Sequence, residues 1–124
     1  MDKIKSFKDL NVWKLAHQTV LKLYKLTEDF PTQEKFGITS QLTRAAVSIP
    51  ANIAEGSGRN SAKEYIHYLT ISRGSVEECK YLILLSKDLE FIKPDEYEEL
   101  EASLNEIGKM LNGLINSIRK STNT

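Results

Sequence analysis

The sequence predicts an all-α protein, an antiparallel up-down-up-down four-helix bundle built as one domain over residues 1–124. Three observations lead there. Phe30-Pro31, the glycines at 56 and 58, and the segment before Pro94 punctuate the chain into four pieces of helical length. Apolar residues recur three and four apart within each piece. No stretch shows the sustained β-branched alternation of a strand.

The first helix is predicted from about Leu10 to Glu28, with Leu10, Trp13, Ala16, Val20, Leu23 and Tyr24 inside and lysines outside; Ser6 and Asp9 ahead of it have the spacing of a capping pair. The second is predicted to start after Thr32, capped by its hydroxyl, and to carry Ile38, Leu42, Ala45, Ala46, Ile49 and Ile53 inward until Gly56 and Gly58 stop it. Ser61 and Glu64 form a capping box before a long third helix ending near Leu89, with Tyr65, Leu69, Ser72, Val76, Cys79, Ile83 and Ser86 on its inner stripe. Pro94 suits a first helical position, and Asp95, Glu96, Glu98 and Glu99 suit the positive end of a helix dipole. The fourth helix follows, with Tyr97, Leu100, Leu104, Ile107, Leu111, Leu114 and Ile118 in heptad register and a frayed tail from Ser121. Short connections make sequential helices antiparallel neighbours.

Seventeen Lys/Arg balance seventeen Asp/Glu, so no global field draws the chain to nucleic acid or an anionic membrane. The distribution is uneven. Residues 1–60 carry nine basic against six acidic side chains, and 94–124 three against six, which leaves room for a local basic patch. The N-terminal MDKIKSFKDL has no signal-peptide apolar core, and the longest aliphatic run, Leu82 to Leu85, is too short to span a bilayer; the expectation is a soluble cytoplasmic protein. A single cysteine, Cys79, excludes an intrachain disulfide and a multi-cysteine metal site, and reads as a small core residue.

Helix two holds the most informative segment, SIPANIAEGSGRN from Ser48 to Asn60. At about 100° per residue, Val47, Ala51 and Ala54 form a second apolar sector, turned well away from the Ile38 to Ile53 stripe. A polar strip of Arg44, Ser48, Asn52 and Glu55, reaching Arg59, lies between the two. One bundle needs only one buried face per helix, so the second sector predicts a further packing partner, another copy of the chain. The strip itself reads as a solvated face, an inter-subunit hydrogen-bond network, or a ligand or catalytic site. Pro50 should kink the helix near Ala46 to Ile49 or divide it in two. The GSGR turn lacks the phosphate-loop pattern and its preceding strand.

Catalytic and metal signals are absent from the sequence. His17 and His67 belong to no H-E-x-x-H or E-x-x-H arrangement, no G-x-S-x-G elbow occurs, and the acids from Asp95 to Glu101 have a structural reason at a helix start. Tyr65, Tyr68, Arg73 and Tyr81 combine aromatic and basic character, but most of these aromatics fall near the helical stripe, which favours core packing. No enzyme and no cofactor is expected.

The run QLTRAAVSIPANIAEGSGR from Gln41 to Arg59, preceded by DLNVWKLA from Asp9 to Ala16, resembles the four-helix-bundle proteins encoded by intervening sequences of bacterial 23S ribosomal RNA genes. The likeness covers nearly the whole chain, and the string R-A-A-x-S-I-P-A-N-I-A-E-G is highly specific. It implies a bacterial antiparallel bundle that assembles as a homo-oligomer, a pentameric ring, without a settled biochemical activity. The family is similar in turn to the accessory variability determinant of diversity-generating retroelements, a pentameric barrel that binds nucleic acid and a reverse transcriptase. The expected oligomer interface is Arg44, Val47, Ser48, Ala51, Asn52, Ala54 and Glu55. Phosphate contacts to RNA or other nucleic acid would come from Lys3, Lys5, Lys8, Lys14, Arg44 and Arg59. The alternative is a module that docks a protein partner on the assembled ring through helices three and four.

Overall fold

The structure, a computed structural model, describes residues 5–122. Its long helices are α1 (Asn11–Thr27), α2 (Ile38–Ser57), α3 (Ala62–Asp88) and α4 (Pro94–Thr122), with single 3₁₀ turns at Phe7–Asp9 and Thr32–Glu34. Among the described residues there is no strand. α2 packs against α1 and α3, and α4 closes the square against the same two, while the diagonal pairs do not approach. Paired contacts fix the directions. Ser48 meets Ser75 and Gly56 approaches Tyr65 and Tyr68, so α3 descends as α2 ascends. Arg73 bonds Asn112 while Lys87 lies over Tyr97, so α4 is antiparallel to α3. The chain is an antiparallel four-helix bundle.

The core follows the helical stripes. Leu23, Leu42, Ile49, Ile53, Leu69, Ile83, Leu104, Ile107, Leu111 and Ile115 are fully buried. Five buried hydroxyls in α1 and α3 are each satisfied by donating to a backbone carbonyl: Thr19 to Leu15, Thr27 to Tyr24, Ser75 to Ile71, Ser86 to Leu82, and Ser72 across the helix interface to Ile49 at 2.8 Å. At one end Phe30 and Phe91 close the bundle with centroids 5.4 Å apart.

Several local expectations change. Ser6 and Asp9 do form a capping box, but it caps the 3₁₀ turn, and α1 starts afterwards from Leu10 without a side-chain cap. Thr32 caps nothing; its segment makes the second 3₁₀ turn, and α2 begins after Gly37, which gives no side-chain cap. Tyr24 is 51% exposed rather than core, because it lies at the edge of the α1 stripe, whereas Val12 and Thr19 are buried. α2 runs unbroken through Pro50 and also through Gly56, so Gly56 is not its stop. It ends at Gly58, which keeps an ordinary φ of −88°, so no left-handed glycine is involved. α4 likewise continues beyond Ser121 to Thr122.

α3 ends in a backbone arrangement that the sequence conceals. Glu90 has φ 65°, its N–H bonds the Lys87 carbonyl, and the Phe91 N–H reaches back to Ser86 at 2.8 Å. This is the double bond pattern of a left-handed helix cap, with glutamate where glycine is usual. α4 then opens with the Glu96 carboxylate accepting the Lys93 N–H at 2.8 Å, which gives the acidic first turn a capping role.

Candidate interaction surface

The polar strip of α2 divides into two parts with different environments. Ser48 leans onto α3, and Asn52 braces it from the next turn of α2. The Asn52 amide nitrogen donates to the Ser48 carbonyl at 2.8 Å and to the Ser48 hydroxyl at 2.9 Å, and that hydroxyl lies 2.8 Å from Ser75 Oγ. Ser75 in turn donates to the Ile71 carbonyl at 3.2 Å. These side chains are tied within one chain. Arg44, by contrast, is exposed, and its guanidinium takes part in no ion pair or hydrogen bond among the described residues.

Glu55 faces the turn that follows α2. Its carboxylate holds the Arg59 guanidinium at 3.0 Å, while the same Arg59 nitrogen donates to Tyr68 Oη at 2.9 Å and the guanidinium lies 5.0 Å from the Tyr68 ring centroid. Arg59 therefore fastens the 58–61 turn to α3. Gly56 permits this closeness: a Cβ there would lie 2.9 Å from Tyr68 Cβ and 3.0 Å from Tyr65 Cδ1. Burial raises the Tyr65 phenol above its ordinary pKa.

Val47 and Ala51 point away from the core and are exposed, and Ala54 is half-buried. Ile71 lies on α3 one turn before Ser75 and opposite Ala51 and Asn52 in the antiparallel register, and like Val47 it is 40% exposed. Gly74 beside it is also exposed. The outer surface of the α2–α3 pair is thus small and apolar at its middle, with Arg44 and Glu78 exposed nearby. Large apolar side chains are otherwise exposed on α1 (Leu21, Tyr24), before α2 (Phe36), late in α3 (Tyr81, Leu84) and just beyond it (Leu89), and on none of the described residues of α4.

Of the other predicted cations, Lys5, Lys8 and Lys14 are exposed near the start of α1, and Lys3 lies outside the described residues. The Asp9 carboxyl beside them is held below the ordinary carboxylate range by the backbone N–H groups of Lys5 and Ser6. The antiparallel arrangement adds Lys63, Arg119 and Lys120 to this end. The opposite end gathers Glu28, Asp29, Glu90, Asp95, Glu96 and Glu99. A chain of zero net charge is therefore polarised along the bundle, a feature that counting by sequence half only partly reveals.

Two hollows of about 350 and 520 Å³ lie at the acidic end, lined by residues such as Leu26, Asp29 and Glu96, away from the α2 strip. Among the described residues no group of three or more His, Cys, Asp or Glu side chains is placed to hold a metal ion, and no helix is long and apolar enough to cross a membrane. His67 is exposed against Tyr68, and Cys79 is free and buried, its thiol pushed up to about 12 by burial with a smaller effect from Glu78.

Comparison with curated proteins gives no match. Among solved structures the chain is similar to a protein of unknown function from the S23 ribosomal protein family of Bacteroides thetaiotaomicron VPI-5482, with 26% identity, a TM-score of 0.79, and coverage of 85% of this chain and 95% of that one. The profile of the 23S rRNA-intervening sequence proteins matches residues 8–113, which include the whole SIPANIAEG segment and the α2–α3 surface built around it, and the chain belongs to that family.

Proposed function

We propose that this protein is a non-enzymatic scaffold that assembles from several copies through the outer face of α2 and associates with RNA through its basic end. The observation that carries the assembly is the placement of Val47, Ala51 and Ile71 on one outward surface, where a single bundle leaves them in water. Small side chains at its centre let a second helix approach closely, and repetition of the patch on each copy supports a closed, symmetric assembly, with a pentameric ring as the form that family resemblance favours. The ribosomal RNA context of the family and the cations near the start of α1 support the RNA part. Cytoplasmic location belongs to the same reading.

Light scattering tests it. The wild type should sediment and scatter as a multiple of the 14.1 kDa chain. Val47→Glu, on an exposed position, should keep helical circular dichroism and shift the mass towards the single chain. A well-folded wild type that stays monomeric at high concentration would sink the proposal. Binding of structured RNA should weaken steeply with salt, as phosphate contacts require.

A second reading, docking of a protein partner, draws on Tyr81, Leu84 and Leu89, which are exposed along late α3 and just beyond it. Retention of a protein partner after nuclease treatment, lost in a Tyr81→Glu variant, would favour it.

A further inference from the structure

The start of the chain contains a ladder of rings that the bundle does not need for closure. Phe7, in the first 3₁₀ turn, meets Trp13 edge-on, with centroids 5.0 Å apart and planes at 66°. Trp13 then stacks on His17 at 4.9 Å with planes only 9° apart. Trp13 is half-buried, whereas His17 is exposed. Packing of the turn onto α1 accounts for Phe7 and Trp13. Helical i, i+4 spacing brings the imidazole onto the indole, and the exposure of His17 leaves its outer face open.

The surroundings are cationic and available. Lys5 and Lys8 flank Phe7 in sequence, and Lys14 is one turn before His17, so it neighbours the imidazole on the helix surface. The ion pairs among the described residues use none of these lysines. Asp9, the acid nearest in sequence, already accepts two backbone N–H groups at 2.9 and 3.2 Å. The Lys22–Glu99 contact and the antiparallel course of α4 place the last turns of α4, with Arg119 and Lys120, beside the same end. A parallel indole–imidazole pair, backed edge-on by Phe7 and neighboured by lysines outside any ion pair, has the chemistry of a single-strand site, in which bases stack and the backbone follows positive charge.

We propose that the Phe7–Trp13–His17 ladder is a stacking platform for unpaired bases of RNA, with the first contact on the open face of His17 and with Lys8 and Lys14 on the phosphates. The proposal rests on the RNA-association reading above and narrows it to single-stranded segments. Because Trp13 is the only tryptophan, its fluorescence reports directly on the ladder.

The test is a titration of the full chain with a twelve-nucleotide oligouridylate, a duplex RNA of equal length, and polyphosphate. Fluorescence anisotropy of labelled RNA gives affinity, and tryptophan emission gives engagement of the platform. The expected result is quenching by oligouridylate only, an affinity loss of about fivefold or more in His17→Ala, as one stacked base implies, and recovery in His17→Phe. His17 is exposed, so both variants should keep wild-type circular dichroism. Salt-sensitive RNA binding without quenching, or with no response to His17→Ala, would overturn the platform and leave RNA association standing. Equal binding of polyphosphate and oligouridylate without quenching would reduce the surface to charge alone and also overturn it. Absence of binding to every RNA would remove the RNA reading and the platform together.

Discussion

The Ser48 and Ser75 hydroxyls meet 2.8 Å apart across the α2–α3 interface, and their neighbours set the direction of the bond. Ser75 donates its one proton to the Ile71 carbonyl, and Asn52 donates to Ser48 Oγ, so Ser48 is the donor to Ser75. A continuous run from Asn52 to the Ile71 carbonyl results. It lies beside the buried Ser72 bond to the Ile49 carbonyl, one residue before Pro50 in the sequence.

Replacing either serine should therefore leave a partly satisfied partner. Ser48→Ala and Ser75→Ala are each expected to cost about 1 kcal/mol. The double variant should lose less than the sum by at least about 0.5 kcal/mol, because the second change removes a group already deprived of its partner. Urea denaturation of the four proteins measures the coupling; strict additivity would show that the contact is energetically idle.

Gly56 and Gly113 make a matched pair. Both are inside helices, but a Cβ at Gly56 meets the Tyr68 Cβ at 2.9 Å and the Tyr65 carbonyl at 3.2 Å, whereas nothing lies within 4 Å of one at Gly113. Gly113→Ala should stabilise by roughly 0.5–1 kcal/mol through helix propensity. Gly56→Ala gains the same term but must part α2 from α3, and overpacking of about 1–3 kcal/mol outweighs it. Opposite shifts in denaturation midpoint are the expected outcome.

Glu90 gives a stabilising change of a different origin. Its φ of 65° is left-handed, where an L side chain costs roughly 1–2 kcal/mol and glycine does not. Glu90→Gly loses some unfolded-chain entropy advantage, about 0.5–1 kcal/mol, so the net gain should be a few tenths to about 1 kcal/mol. Thermal denaturation at neutral pH would register it as a rise of the midpoint.

The bundle was legible because its stripes are long and its caps local: Ser61 and Glu64 announce α3, and the spacing from Leu100 to Leu111 announces the inward face of α4. What escaped depends on neighbours in space. Thr32 looks like a cap, yet the chain takes a 3₁₀ turn and delays α2 until after Gly37. Gly56 reads as a stop in isolation and as a close-approach position only once α3 lies against it. The Ser48–Asn52 pair is visible as an i, i+4 spacing, but its inward direction requires Ser75, which no local pattern in α2 reveals. The exposed Val47 and Ala51 sector, by contrast, follows from helical phase alone, and the structure places both residues outward.

Cys79 should give the protein an alkaline limit. The thiol is fully buried, and burial, with a smaller contribution from Glu78, raises its pKa from 9.0 to about 12. The native state thus keeps a proton that the unfolded chain releases between those values. Native chains bind more protons there, so stability is unaffected below pH 9 and falls as pH rises, by up to about 1.4 kcal/mol per pH unit. Tyrosines and lysines titrate in the same range, so the measurement is a difference: urea stability of the wild type and of Cys79→Ala at pH 8 and pH 10.5. Removing the sulfur creates a small cavity at both pH values, but only the wild type carries the thiol penalty, so its advantage over Cys79→Ala should shrink at the higher pH. The same burial predicts that a thiol reagent at pH 8 labels Cys79 only as fast as the bundle opens, with the rate rising in urea. An unchanged advantage together with rapid labelling of the native protein would place the sulfur in contact with water and contradict its position in the α3 stripe.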